Sequence, residues 1–406
     1  MTMRALALCL GLTALGCAGT RAGADPTFAL FEGGDDLAHG GRGALRVQWQ
    51  RELHASRRGN YQPVESAVAA IDERHRRVYV GAASGKLEAL GFDGRELYRF
   101  ELHEAIASEP ALDVDADELY VGTERGELYA FTASSGKLRW KVEASGALRQ
   151  RPLLFHDALY VVSEEDVVES RSRADGSVLW SYKRERSDGF LVAGHAGLTL
   201  SEGRVLTAFN DGAVVALDAL DGRPRWERET ALDVPDTDPG RPRYIDADAT
   251  PVLVGRHVYA ASFAGGLYCL DERNGSVVWR APEWTGITGL AANEDGSLIL
   301  ISADRGVARF DPTTRAASWV KPVERGAYGT PELRAGLLLV GDSKGSLLAL
   351  DALSGDELGR IDTGHGFVAR AALGEQRAYA VSNGGTLLAM RVAGHPAGED
   401  TAAALP

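Results

Sequence analysis

The sequence predicts an all-β chain folded as an eight-bladed β-propeller of four-stranded antiparallel blades. Three observations predict it. An aromatic or aliphatic anchor recurs at Tyr79, Tyr120, Tyr160, Leu206, Tyr259, Leu300, Leu339 and Tyr379, with spacings of 41, 40, 46, 53, 41, 39 and 40 residues. A glycine follows six positions later in seven of the eight copies, at Gly85, Gly126, Gly212, Gly265, Gly306, Gly345 and Gly385, with Asp166 in the remaining one. A tryptophan then closes most copies, at Trp140, Trp180, Trp226, Trp279 and Trp319, with Tyr98 in that slot of the first. A period near 40 residues that holds four short strands is the signature of a propeller blade.

The strands follow in order. A proline opens several innermost strands, at Pro110, Pro152, Pro251 and Pro331; the first residue of a strand can lack a ladder donor. The anchor lies on the second strand. The glycine turns the chain into the third, as in "GLYCLD", which carries a small residue four positions after the glycine: Ala89, Ala130, Ser170, Ala216, Cys269, Ala349 or Ala389. The sixth copy reads one residue short here. An Asn-Gly, Asp-Gly or Ser-Gly turn leads to the outer strand with its Trp. The small position is expected to face the neighbouring blade, which gives Cys269 a packing role.

The eighth copy, "AYAVSNGGTLLAMRV", has no Trp strand after it. The missing strand stands near the start, in "LRVQWQREL" with Trp49 in the slot. An N-terminal strand that completes the last blade closes the ring and removes its open edges. The propeller is therefore expected to span residues 45–393, with a disordered tail at 394–406.

With 406 residues, 45% hydrophobic and 25% charged, the chain can bury a large core. Its net charge of −13 argues against nucleic acid, whose binding needs a basic face. The start, "MTMRALALCLGLTALGCAGT", is a targeting segment: one cation, a short apolar run from Ala5 to Leu15, then "ALGC". Residues 1–17 resemble a bacterial lipoprotein signal, in which small residues precede a cysteine that becomes the lipidated first residue. Cys17 is the candidate lipidation site, and Ala18 after it favours the outer membrane by the same resemblance. Residues 18–44, rich in Gly, Ala and charge, read as a flexible tether. With Cys9 in the signal and Cys17 lipidated, Cys269 stands alone, so no intramolecular disulfide is expected.

Several motifs invite a catalytic reading. "GDSKG" at 341–345 matches a Gly-x-Ser-x-Gly elbow, but the elbow needs a helix after it, and here a strand follows. "DVDADELYVGTE" at 113–124 has acids at four calcium-loop positions, yet Glu118 stands where the loop needs glycine. The nine His show no ligand-pair spacing. No metal site and no catalytic residue is assigned.

The repeat "VYVGxxxGxLxALDxxxGxxxW" resembles the PQQ-like propeller repeat. That superfamily holds quinoprotein dehydrogenases as well as non-enzymatic binding proteins. The dehydrogenases are longer and often carry an adjacent Cys pair, which this chain lacks. Six of its seven Trp fill the outer-strand slot, leaving Trp284 over. Neither a quinone cofactor nor an enzyme is expected. Eight copies behind a lipoprotein signal resemble the BamB family of outer-membrane β-barrel assembly lipoproteins. "RYIDADATPVLVGRHVYAASFAGGLYCLD" at 243–271 is similar to that family's fifth-blade entry, "LLLVGDSKGSLLALDALSG" at 337–355 to its seventh blade, and "DGFLVAGHAGLTL" at 188–200 to its apolar loop into the fourth.

The resemblance implies a scaffold anchored by lipid at Cys17 to the outer membrane and facing the periplasm. It would act as a single copy within a larger complex and bind the periplasmic domains of a BamA-type barrel protein. The long inter-blade segments, "YKRERSDGFLVAGHAGLTL" and "ERETALDVPDTDPGRPRYIDADATP", would form the docking patch. Carried over, Asp246 and Asp248 match the acidic pair, Arg243 the arginine before them, and Phe190 and Val192 the apolar loop positions. Ala193 stands where the family pattern has arginine. Asp246 and Asp248, two apart in a strand entry, are expected to present one paired negative surface with Ala247 inward; the alternative is that they orient the strand entry. Other readings remain open: an envelope propeller with another protein or polysaccharide ligand, or a quinone-dependent dehydrogenase.

Overall fold

The computed structural model describes residues 28–30, 44–53, 65–185, 195–233 and 246–393. Its described elements are strands and one 3₁₀ turn, Ala231–Asp233. They form eight antiparallel sheets arranged as the blades of a propeller: seven of four strands and one of five. No helix among the described residues is long and apolar enough to cross a membrane.

Each blade is organised on one cross-strand rung. The anchor and the small residue are direct partners: Tyr79 with Ala89, Tyr120 with Ala130, Tyr160 with Ser170, Tyr259 with Cys269, and Tyr379 with Ala389. The same rung continues to the outer aromatic: Ala89 with Tyr98, Ala130 with Trp140, Ser170 with Trp180, Cys269 with Trp279. Residues on one rung share a face of the sheet. The small residue is thus bracketed by two rings and must be small to seat both. Ring centroids lie 5.8 Å apart for Tyr120–Trp140 and Tyr160–Trp180, and 5.9 Å apart for Tyr259–Trp279, within the range of favourable aromatic pairs. In blade 6, Leu300 pairs with Ala308, eight positions on rather than ten, so this hairpin is two residues short and not one. Cys269 is fully buried, and burial pushes its thiol pKa up.

Blades are joined by the outer aromatics. Each inserts beside the last turn of the next blade, and its polar atom donates to a backbone carbonyl there: Tyr98 Oη to Ala133 at 2.7 Å, Trp140 Nε1 to Arg173 at 2.9 Å, Trp180 Nε1 to Ala219 at 3.0 Å, Trp226 Nε1 to Glu272 at 2.9 Å. The turn glycine is required by this contact. Gly222 has φ +72°, and a Cβ there would lie 2.5 Å from the Trp180 ring. Trp284 packs edge-on against Phe310 at 5.8 Å, so the leftover tryptophan also belongs to a core.

Ring closure is by the N-terminal strand. Leu45–Glu52 pairs antiparallel with Thr386–Val392 as the outer strand of blade 8, with Trp49 opposite Ala389. A further short strand, Phe28–Leu30, pairs with the outside of Leu45–Glu52. It lies within the segment expected to be a tether. The remainder of that segment, the signal with Cys17, the 394–406 tail, and Phe190, Val192, Ala193 and Arg243 lie outside the described residues.

The glycine that turns the second strand into the third lies in the left-handed region in most blades, and Asp166 adopts it at φ +56°. In blade 5 the left-handed residue is Gly266 rather than Gly265. The "GDSKG" segment is such a turn between Leu337–Gly341 and Leu347–Asp351. Ser343 Oγ accepts the Ala327 N–H at 2.9 Å, a hydrogen bond that holds the loop. The acids of "DVDAD" are used locally. Asp113 pairs with Arg173, Asp115 with Arg74, and Asp117 accepts from Ser134.

Candidate functional site: the channel mouth at blades 3 to 5

The innermost strands of all eight blades enclose a cavity of about 700 Å³. Its wall carries charge that is largely satisfied internally. Arg370 of blade 8 pairs with Glu332 of blade 7 and reaches Glu109 of blade 2, which also meets Arg151 of blade 3 at 3.3 Å. Burial pushes the Glu332 pKa up, against the pull of Arg370.

The two long inter-blade segments end on this wall. The described entries run from His195 to the first strand of blade 4 at Thr199, and from Asp246 to that of blade 5 at Val252. His195 is buried; its Nε2 lies 3.3 Å from Asp166 Oδ1, and its Nδ1 is 2.7 Å from the Ala196 carbonyl. Gln150 of blade 3 donates to the His195 carbonyl at 2.6 Å. Thr250 Oγ1 accepts the Gly197 N–H at 2.8 Å, and Thr199 donates to the Pro251 carbonyl at 2.6 Å, tying the blade 4 entry to that of blade 5. Burial pushes the Asp166 carboxyl up, but the close approach of the His195 ring and the hydrogen bond from the Asn210 N–H outweigh it and hold it below the ordinary value.

The acidic pair is not the exposed surface expected from the strand alternation. Asp246 is fully buried, together with Ala247, and its carbonyl accepts the Phe263 N–H at 2.8 Å. The entry is not yet a regular strand, which begins only at Val252, so alternation does not govern it. Asp248 is the partly exposed member and lines the cavity. Burial pushes its pKa to about 7, and Asp246 adds to the shift, with His195 opposing. Near neutral pH it therefore exchanges a proton, and a nearby cation would favour its charged form.

Of the sequence-predicted site residues, the described structure thus brings Asp246 and Asp248 together beside the channel. It adds Asp166, His195 and Glu164, which sequence reasoning missed. Burial raises the Glu164 pKa, against Arg149 and His195. One signal was present: Asp166 is the lone departure from the glycine slot. Among the described residues, no group of three or more His, Cys, Asp or Glu side chains is placed to hold a metal ion.

Known proteins share this architecture. A protein from Shewanella oneidensis described as outer membrane protein assembly factor BamB is 27% identical over 247 residues, covering 60% of this chain and 61% of that relative. A protein of the same description from Burkholderia pseudomallei is 25% identical over 327 residues, covering 80% and 81%. The crystal structure of BamB from Moraxella catarrhalis matches the fold with a TM-score of 0.71 at 22% identity, over 86% of this chain and 99% of that one. The quinohemoprotein alcohol dehydrogenase of Comamonas testosteroni has a similar fold, with a TM-score of 0.66 at 14% identity over 87% of this chain and 77% of that one, so propeller geometry does not separate the two functions. The family model for outer membrane protein assembly factor BamB matches residues 83–321, more than half of the chain, and the chain belongs to that family.

Proposed function

We propose that the protein is a non-enzymatic scaffold of outer-membrane β-barrel assembly, held by lipid at Cys17 on the periplasmic side of the outer membrane. It binds the periplasmic domains of a BamA-type barrel protein through the segments that enter blades 4 and 5, with Phe190, Val192, Arg243 and Asp248 in the contact. Asp246 orients the entry to blade 5. The observation that carries the reading is membership of the BamB family. The geometry supports it. The described ends of both long segments are fixed on a closed ring by Gln150, Thr199 and Thr250, so the entries to blades 4 and 5, Asp248 among them, are held in place before a partner arrives. Glu109, Arg151, Glu332 and Arg370 pair with one another, which suits a wall better than a reaction site. The test is a mild-detergent pull-down with mass spectrometry. A BamA-type barrel protein among the leading hits is expected; its absence, with other envelope proteins enriched instead, would overturn the reading.

A further inference from the structure

Blade 8 carries a rung that the other blades do not. Arg46 of the closing strand lies directly opposite Arg391, and Arg391 directly opposite Arg377. Three arginines thus stand side by side on three adjacent strands and share one face of the sheet. Blades 4, 5 and 7 have aspartate where blade 8 has Arg391: Arg204 faces Asp218, His257 faces Asp271, and Leu337 faces Asp351. A fourth guanidinium, of Arg76 in the first turn of blade 1, lies 5.8 Å from the centroid of the Phe92 ring, over which Arg377 also sits at 5.0 Å.

Arg46, Arg76 and Arg391 are exposed. None of the four has a carboxylate partner among the described residues, whereas Arg51, five positions along the same strand, is buried and paired with Glu88 and Glu96. The nearby Glu73 carboxylate is turned to the Glu375 N–H at 2.8 Å. Like charges directly opposite on neighbouring strands destabilise a sheet. The rung therefore opposes folding with no counter-ion among the described residues, in a chain whose net charge is −13. Such an arrangement fits an anion from outside. Guanidinium groups favour phosphate, which they bind through two parallel N–H···O bonds.

The position of the rung says which phosphate. Arg46 stands two residues inside Ala44, where the chain arrives from its N-terminal segment; the Ala393 N–H donates to the Ala44 carbonyl at 2.8 Å, so the C-terminal segment leaves there too. Phe28, whose short strand pairs with the closing strand opposite Arg51, is 11 residues after Cys17, a span of at most about 40 Å fully extended. The closing strand, which carries Arg46, is thus the strand that the chain from the lipid anchor joins first. We propose that Arg46, Arg377, Arg391 and Arg76 form a docking surface for the headgroup phosphates of anionic phospholipid, which orients the propeller on the bilayer that holds it. This rests on the reading of Cys17 as the anchor.

The test removes the anchor and asks for the headgroup. The full chain with Cys17→Ser is sedimented with vesicles of phosphatidylglycerol and phosphatidylethanolamine, and separately with vesicles of phosphatidylcholine. Binding to the anionic vesicles alone is expected, weakened by high salt and reduced at least about tenfold in Arg46→Gln with Arg391→Gln. That variant should melt no lower than its parent, because it relieves a like-charge rung. Arg46→Lys with Arg391→Lys should keep part of the binding through charge alone. Equal binding by the Gln variant and its parent, or equal binding to both vesicle types, overturns the proposal. So does competition by inorganic phosphate, which would make this a free-anion site, or loss of barrel-protein pull-down with vesicle binding intact, which would make it a protein contact. Vesicle binding that persists while no barrel protein is captured overturns only the assembly reading.

Discussion

Trp49 Nε1 donates to the Phe92 carbonyl at 2.9 Å, so the strand that closes the ring meets blade 1 as Trp140 meets blade 3 and Trp180 meets blade 4. The ring's seam is therefore built like its internal joints. Trp49 also lies 5.9 Å from Tyr379 and is almost fully buried. Trp49→Ala should cost about 3–5 kcal/mol in urea unfolding. Trp49→Phe keeps most of the apolar surface but leaves the Phe92 carbonyl without its donor, a loss of about 1–3 kcal/mol. Deleting residues 18–52 removes the joint and should expose Thr386–Val392 as an edge, with aggregation. A truncation that melts with the intact chain would refute the closure.

Asp248 gives a pH dependence of stability. Its pKa is about 7 in the folded protein, raised mainly by burial, against an ordinary carboxylate value when unfolded. A raised pKa means the folded state holds the proton more tightly. The contribution of Asp248 is thus fully present below pH 4 and is lost as pH rises to 7 and beyond. Asp248→Asn should melt close to the parent at pH 5 and several degrees higher at pH 8. Glu164 and Glu332 shift in the same direction, so the variant-minus-parent difference is the readout. A difference that does not change with pH would refute the assignment.

The repeat made the fold legible because its signals are local. A ring, a small residue and a tryptophan at fixed spacings report one rung, and Tyr120, Ala130 and Trp140 occupy it as read. The site was less legible because it is assembled across blades. His195, Asp166 and Asp248 come from three different repeats, each at a position where the pattern prescribes nothing but an entry or a turn. Strand alternation misplaced Asp246 because its segment precedes the strand and packs under the entry with Ala247 and Ala249. The arginine rung was hidden for a related reason: Arg46 and Arg391 are 345 residues apart, and only closure sets them side by side.

Lipidation at Cys17 is tested by fractionation. One acyl chain holds a protein only marginally, whereas several anchor it stably. The mature protein should stay with membranes in high salt. Cys17→Ser should appear in the periplasmic fraction or as uncleaved precursor under the same wash, where single-surface electrostatic contacts are screened. Fractionation like the parent under that wash would overturn the anchor, and the lipid-orienting role of the arginine rung would lose its premise.

The docking patch makes a prediction that ties charge to recognition. Asp246 is buried, so replacing it tests the fold of the blade 5 entry; Asp248 is the carboxylate a partner can reach. With a pKa of about 7 it is only partly ionised at neutral pH. A partner cation stabilises the ionised form, so capture of a BamA-type protein should strengthen as pH rises from 6 to 8. Asp248→Asn should weaken capture at pH 8, by about 2–5 kcal/mol if the contact is desolvated and less at a wet rim, and should flatten its pH dependence. The control is Asp115→Asn, which removes an equally negative but highly exposed carboxylate from a turn outside the patch. Asp113 and Asp117 are poorer controls, because each holds its turn through backbone N–H groups. If Asp115→Asn weakens capture as much as Asp248→Asn, the effect is bulk charge. If capture with the native chain is flat across this pH range, Asp248 does not meet a cation, and the contact must be carried by the apolar positions Phe190 and Val192 instead.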